Sequence, residues 1–152
     1  MRPEVRIHAE PIDAGVEIAR LGEGLAGATG AVVTFTGLCR DEGGQLAALE
    51  IEHFPGMAED EVGRVAEEAA RRWPIQAATV IHRHGLVRPG EGIVLVVTAA
   101  AHRDAAFEAA SFLMDYLKTR APFWKREHRA DGSAGEWVEA KAADDAAAAR
   151  WS

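Results

Sequence analysis

The sequence predicts an α+β domain, and three observations lead to this class. The run Gly92–Ala100 (GIVLVVTAA) is almost wholly apolar, which indicates a central strand buried on both faces. Met57–Trp73 and a segment from Asp104 to about Arg120 place apolar residues at steps of three and four, as amphipathic helices do. Strand and helix patterns alternate irregularly, with at least one hairpin, which argues against a regular parallel α/β fold.

Two further strands are predicted between the glycine-rich segment Gly22–Gly30 and the first long helix. Ala31–Thr36 (AVVTFT) is rich in β-branched and aromatic residues and is expected to be a buried strand. Ala48–Phe54 alternates apolar and polar residues. We predict that these two strands form an antiparallel pair.

The remaining elements follow from shorter signals. In the second long helix the predicted apolar stripe consists of Phe107, Ala110, Met114 and Leu117. The other predicted elements are strands at Val5–Ala9, Ala78–His84, Phe123–Arg129 and Glu136–Ala140, a weak helix from Asp13 to about Leu21, and an alanine-rich helix at Ala142–Ala149 within a C-terminal tail of residues 141–152. Residues 1–29 carry weaker signals than the rest of the chain.

Length and composition indicate one soluble domain that covers residues 1–152. Apolar residues make up 48% and charged residues 27% of the chain, so a core can form without disulfides. Cys39 is the only cysteine, which excludes an intrachain disulfide and suggests a reducing compartment. The N-terminus lacks the apolar run of a signal peptide, and no run approaches the roughly 20 residues of a membrane span. We therefore expect a cytoplasmic protein that does not enter a membrane.

Positive charge is concentrated in one segment of an acidic chain. The formal net charge is −7, yet Tyr116–Arg129 holds five lysines and arginines against one acid, Glu127. An acidic protein that gathers its cations in this way is expected to bind an anion there. The acidic remainder argues against general binding of nucleic acid.

Lys118, in the last predicted turn of the second helix, has two readings. It can simply complement the negative end of the helix dipole. Alternatively, the cations that follow disfavour its protonated form, and a lysine in such surroundings can act as a base or nucleophile. The sequence does not decide between these readings.

Lys125 follows in an extended segment. There, Phe123 and Lys125 share one face, and Trp124 and Arg126 share the other. One face can line a pocket, or the whole segment can be a solvated edge strand.

Three more cations stand at the ends of predicted strands. His102 and Arg103 lie between the apolar strand and the following helix, where an anion site is favoured, although they can also merely complete the turn. Arg40 closes Ala31–Thr36, and Cys39 beside it reads as a packed residue. His82 and His84 share one face of a strand, but no third ligand has recognisable spacing, so no metal site is expected.

Several longer motifs point together to one family. They are GAVVTFTG (Gly30–Gly37) with Arg40, EHFPGM (Glu52–Met57), RWP (Arg72–Pro74), VIHR.G (Val80–Gly85), AHR..AFEA (Ala101–Ala109) and MDYLKTRAPFWKRE (Met114–Glu127). From about Gly30 to Trp151 the chain closely resembles the large, catalytic subunit of molybdopterin synthase. The resemblance implies an α/β-hammerhead fold within the α+β class.

The resemblance also implies an activity and its partners. The family inserts two dithiolene sulfurs into cyclic pyranopterin monophosphate (precursor Z), which makes molybdopterin for the molybdenum cofactor. The sulfur arrives as the C-terminal Gly-Gly thiocarboxylate of a small ubiquitin-like carrier subunit. The large subunit forms a homodimer, and one carrier docks on each copy to make a heterotetramer. No cofactor, metal, nucleic acid or membrane is implied.

Carried over by motif, the resemblance assigns roles to individual residues. Lys118 is implied as the principal catalytic residue, and Lys125 as its assistant. The implied substrate-binding residues, which include both lysines, are Leu38, Cys39, Arg40, His102, Arg103, Lys118, Lys125, Arg126 and Glu127. Because the family site lies near the dimer interface, some of these side chains are expected to serve the pocket of the other copy.

Two features of the chain agree with an external sulfur donor. Its last residues, Arg150-Trp151-Ser152, lack the Gly-Gly terminus of a sulfur carrier, so a separate carrier is expected. The single thiol of Cys39 cannot readily deliver two sulfurs per turnover. The alternatives are a non-catalytic anion-binding or scaffold module with the same fold, and a single-strand nucleic-acid binder that uses Phe123, Trp124 and the adjacent cations.

Overall fold

The computed structural model describes residues 3–41, 43–138, 149 and 151. The helices are α1 (Ala14–Glu23), α2 (Met57–Arg72) and α3 (Arg103–Thr119). The strands are β1 (Glu4–His8), β2 (Ala31–Leu38), β3 (Leu46–His53), β4 (Ile75–Arg83), β5 (Gly85–Val87), β6 (Gly92–Ala100) and β7 (Phe123–Arg129). No helix in these ranges is long and apolar enough to cross a membrane.

The strands form two sheets. The first has four strands in the order β1-β4-β6-β2, in which β1 and β4 run parallel and the other pairs run antiparallel. The second has three antiparallel strands in the order β5-β3-β7. This mixture of parallel and antiparallel pairs with helices confirms the predicted α+β class.

The apolar strand β6 is the centre of the core, as predicted. Every residue from Ile93 to Ala100 is buried. On one face β6 packs directly against α3, in a core cluster that also contains buried residues of α2. On the other face Leu95 and Val97 pack with Ile81 of β4 and with Leu21 of α1. Full burial of a side chain such as Leu95 contributes about 2 kcal/mol, so this strand anchors both layers.

Strand β2 differs from its prediction in both burial and pairing. It pairs with β6 and lies at the edge of the four-stranded sheet, whereas β3 belongs to the other sheet. Val32 is 44% exposed and Phe35 is 41% exposed. An edge strand has one neighbour only, so its apolar composition does not ensure burial on both faces. The predicted antiparallel pair between Ala31–Thr36 and Ala48–Phe54 is therefore wrong.

The buried stripe of α3 differs from the prediction at one position, where Ala106 replaces Phe107. Phe107 is 59% exposed, whereas its neighbour Ala106 is fully buried. Thr98 of β6 donates a hydrogen bond to the Ala106 carbonyl at 2.7 Å. The small alanine side chain lets α3 approach β6 closely, which a phenylalanine at this contact would prevent. Ala110, Met114 and Leu117 are buried as predicted.

The predicted C-terminal elements are covered only in part. Within Glu136–Ala140, Val138 forms a single bridge with Lys125. The predicted helix Ala142–Ala149 lies outside the described residues except for Ala149. Trp151 is described, and its indole packs edge-on against Trp73 of the core with ring centroids 5.4 Å apart.

Candidate active site

A small cavity opens where α3 ends and β2 ends. Because α3 folds back along β6, the last turn of α3 lies near the start of β6. Strand β2 runs antiparallel to β6, so β2 also ends there. The cavity has a volume of about 30 Å³, roughly that of one water molecule. We call it the lysine cavity, and its lining residues are Gly37, Leu38, His82, Ile93, Val94, Met114, Leu117, Lys118 and Lys125.

The two lysines reach the cavity from different elements. Lys118 is exposed in the last turn of α3. The chain then turns at residues 120–122 and enters β7, which carries Lys125. Lys125 shares a face of β7 with the buried Phe123, as the alternation predicts. The structure thus brings together the two lysines among the cations that the sequence singled out.

Gly37 lies where the cavity leaves little space for a side chain. A Cβ atom at this position would lie 2.7 Å from Val94 Cγ1 and 3.3 Å from a ring carbon of Phe35. A glycine therefore permits the close approach of β2 to β6 at the cavity wall. The register of the two strands also shifts between Gly37 and Leu38, which redirects Leu38 into the cavity.

His82 also belongs to the site, although its position in the sequence was interpreted only in terms of metal binding. It is 4% exposed, and its ring stacks on Phe123 with centroids 3.9 Å apart. Its Nδ1 lies 2.8 Å from the Arg83 carbonyl oxygen. Burial, with the positive charges of Lys125 and Lys118, lowers the pKa of His82 to about 3. The sequence signal that could have indicated a role in the site was a histidine within a mainly apolar strand.

The suppressed ionisation of His82 predicts how stability depends on pH. The pKa is about 3 in the folded protein, against an ordinary value of 6.5. Between these values the unfolded chain binds a proton that the folded chain does not, so stability falls as the pH decreases from about 6.5 towards 3. The slope for one proton is about 1.4 kcal/mol per pH unit.

A variant isolates this contribution of His82. His82→Gln does not titrate, so its free energy of unfolding should fall less steeply than that of the wild type between pH 6 and 4.5, by about 1.4 kcal/mol per pH unit. Urea unfolding at several pH values measures both slopes. Above about pH 7.5 the two slopes should coincide. Equal slopes at acid pH would show that His82 ionises normally in the folded protein.

Cys39 does not line the lysine cavity. Its side chain is buried, and Sγ donates to the Val87 carbonyl at 3.7 Å. Burial, together with Glu91 and Asp41, raises the pKa of the thiol. A buried thiol that resists ionisation is a poor nucleophile, which agrees with the packed role read from the sequence.

The other implied residues, which follow β2 or lie in β7, do not line the lysine cavity. Arg40 is exposed two residues beyond Leu38. Arg126 points to the opposite face from Lys125, where it donates to Glu50 Oε1 at 2.9 Å and covers the ring of Trp137 at 4.5 Å. Glu127 is exposed.

Glu50 is held by two partners from β7. His128 Nε2 lies 2.8 Å from Glu50 Oε1, beside the contact from Arg126. The hydrogen bonds from His128 and Arg126 lower the pKa of Glu50. Arg126 is therefore committed to a carboxylate in this structure.

His102 and Arg103 lie at the far end of α3. His102 is the N-cap and Arg103 the first residue of the helix, and both are exposed. Lys118 follows Arg103 by about 15 residues, a distance of about 22 Å at 1.5 Å per helical residue. A single copy of the chain therefore does not bring these two cations to the lysine cavity.

The described residues contain no group of three or more His, Cys, Asp and Glu side chains that fits a metal ion. Among them, His53 and His84 lie with their ring centroids 4.6 Å apart. Burial and the charge of His84 lower the pKa of His53. Two rings that meet in this way do not make a metal site by themselves.

An α+β fold that gathers two lysines around a cavity at strand and helix ends is the kind of protein that binds a small anionic reactant. Residues 7–120 match the family model described as MoaE protein. The molybdopterin synthase catalytic subunit of Mesorhizobium japonicum is 66% identical over 151 residues, which are 99% of this chain and 94% of that protein. The same subunit of Brucella melitensis is 60% identical over 97% of this chain and 90% of that protein.

A solved structure is similar throughout. The molybdopterin biosynthesis MoaE protein from Burkholderia ambifaria superposes with a TM-score of 0.83 and 44% identity, covering 99% of this chain and 98% of that one. The chain therefore belongs to the MoaE protein family.

Proposed function

We propose that this chain is the catalytic subunit of a molybdopterin synthase. It converts cyclic pyranopterin monophosphate to molybdopterin with sulfur from the C-terminal thiocarboxylate of a small ubiquitin-like carrier. The observation that carries this proposal is the convergence of Lys118 and Lys125 on one cavity. Family membership supplies the reaction, and the cavity supplies the cations that its anionic reactants need.

The lysines act on the incoming thiocarboxylate. Sulfur attack on the pterin side chain displaces an oxygen there and turns the thiocarboxylate into a thioester. Water then cleaves the thioester, which leaves the sulfur on the pterin and frees the carrier as a carboxylate. An ammonium group beside the acyl carbon stabilises the oxyanion that forms during this cleavage. Lys118 takes this role, because it is exposed at the mouth of the lysine cavity and can meet a tail that arrives from solvent. Lys125 assists from β7. Lys118 is also placed to move a proton during the attack.

The phosphate and the pterin are held by other cations. Arg40 supplies one arm just beyond the end of β2. Arg126 joins it when it exchanges its ion pair with Glu50 for the phosphate, and the Glu127 carboxylate accepts from N–H groups of the pterin. Leu38 with the backbone at Cys39 forms the nearby wall. His102 and Arg103 lie about 22 Å from Lys118 along α3. We therefore place them in the pocket of the second copy of a homodimer, which binds one carrier per copy as a heterotetramer. The reaction takes place in the cytoplasm, where the thiol of Cys39 stays reduced.

Reconstitution tests the activity directly. The protein, mixed with thiocarboxylated carrier and precursor Z, should form the dithiolene without added metal or nucleotide. The control is the same carrier with an ordinary C-terminal carboxylate, which holds no sulfur to transfer. With a carrier of proven competence, absence of product would leave a non-catalytic anion-binding module as the function.

A further inference from the structure

His82 places a hydrogen-bond acceptor among the cations of the lysine cavity. Its Nδ1 lies 2.8 Å from the Arg83 carbonyl oxygen. A carbonyl oxygen only accepts, so Nδ1 carries the hydrogen, and the neutral ring has its lone pair on Nε2. Within the described ranges, the structure shows a hydrogen bond of the His82 ring through Nδ1 and none through Nε2.

The position of the ring is set by its surroundings. Stacking on Phe123 at 3.9 Å and the bond to the Arg83 carbonyl orient its plane and its two nitrogens. The other polar side chains that line the lysine cavity are Lys118 and Lys125. Both lysines are donors when protonated. Among the lining side chains, the nitrogen or oxygen acceptor is therefore Nε2 of His82.

We propose that His82 is a binding residue of the site, whose Nε2 accepts a hydrogen bond from an N–H or O–H group that a reactant at the mouth of the lysine cavity inserts into it. This role rests on the proposed function, because that function brings two reactants to the cavity. The peptide N–H groups of the carrier's C-terminal glycines and the N–H groups of the pterin are both donors of this kind. A buried donor without an acceptor is strongly disfavoured, so His82 discriminates for reactants that present one.

The charged groups around His82 keep it suited to this task. Lys118 faces it from α3, Lys125 from β7 and His53 from β3, and each disfavours a proton on the ring. Burial acts in the same direction, so the imidazole stays neutral at physiological pH. The neutral His82 ring can therefore accept a hydrogen bond from a reactant without adding a third positive charge beside the two lysines.

Two variants separate acceptance at Nε2 from a structural role at Nδ1. In His82→Asn, the short amide can keep the donor to the Arg83 carbonyl but removes the acceptor. In His82→Gln, the longer amide places an oxygen near the position of Nε2 and gives up the bond to Arg83. Both variants lose the stacked ring, so they are matched in that respect.

Steady-state kinetics is measured with each reactant varied in turn. We expect His82→Asn to raise the KM for one reactant about 5- to 100-fold, and His82→Gln to restore most of that loss. A higher KM for the carrier assigns the donor to its tail, and a higher KM for precursor Z assigns it to the pterin. Equal kinetics for the two variants, or kinetics in which Asn is closer to wild type, would overturn the proposal in favour of the structural role.

A measurement on the unmodified protein covers the case in which a variant does not fold. The protein, labelled with ¹⁵N in histidine, is titrated with carboxylate-terminated carrier and then with precursor Z. The Nε2 resonance of His82 should move in the direction of an accepted hydrogen bond with one of them. A resonance unchanged by reactants that bind would contradict the proposal. Binding without turnover in wild type would count against the proposed function instead.

Discussion

Lys118→Ala is expected to lower turnover at least about 100-fold while the protein stays folded and still binds its carrier. Removing one group that stabilises transition-state charge typically lowers kcat by about 10²–10³. Lys118 is exposed in the last turn of α3, so its truncation leaves no hole in the core. The measurement is molybdopterin formation under saturating carrier and precursor Z, beside thermal unfolding and size-exclusion chromatography of the complex.

The matched control for Lys118 is Arg64→Ala. Arg64 is also an exposed helical cation, and it pairs with Glu61 at 3.0 Å on the outer face of α2. Its loss removes the same charge at a position outside the site, so turnover should stay near that of the wild type. Normal turnover by Lys118→Ala would remove Lys118 from the catalytic role. Loss of carrier binding would make it a docking residue.

Mixing two inactive variants is expected to restore activity if the pocket is shared between copies. Arg103→Ala and Lys118→Ala each damage both sites of their own homodimer. In a mixed dimer, however, one pocket combines the intact Lys118 of one copy with the intact Arg103 of the other. Random exchange of equal amounts yields mixed dimers as half of the total, each with one intact site, so about a quarter of wild-type activity should return.

A second mixture serves as the control for this experiment. Lys118 and Lys125 line the same cavity of a single copy. When Lys118→Ala is mixed with Lys125→Ala, every pocket therefore lacks one lysine, and no activity should return. Failure of the Arg103 mixture, despite mass-spectrometric proof of subunit exchange, would mean that Arg103 acts outside the shared pocket.

The elements that the sequence predicted well are those with strong local signals. β6 reads as a continuous apolar run, and burial on both faces follows directly from that composition. Asp13 caps α1 as expected, since its side chain accepts from the Val16 amide at 3.1 Å. The alternation in Phe123–Arg129 placed Lys125 on the same face as Phe123, because strand side chains repeat every two residues. Only the structure shows that this face is the inner one.

The predictions that failed required knowledge of neighbours distant in the chain. The pattern AVVTFT does not reveal that β2 is an edge strand whose single partner is β6. Phe107 fits a helical apolar stripe, yet the stripe that meets β6 is set by the small side chain of Ala106 and its contact with Thr98. His82 entered the site through a stacking contact with Phe123, which lies far along the chain.

The sequence by itself determined the α+β class, the apolar centre of the core and the cations suited to an anionic reactant. Its motifs also identified the family, because a string such as MDYLKTRAPFWKRE is specific to that family and can be recognised without a structure. Only the tertiary structure decided which cations meet. Lys118 and Lys125 converge because the chain reverses after α3, whereas Arg103 remains about 22 Å away at the other end of a rigid helix. Such distances depend on how elements pack, and local sequence patterns do not encode them.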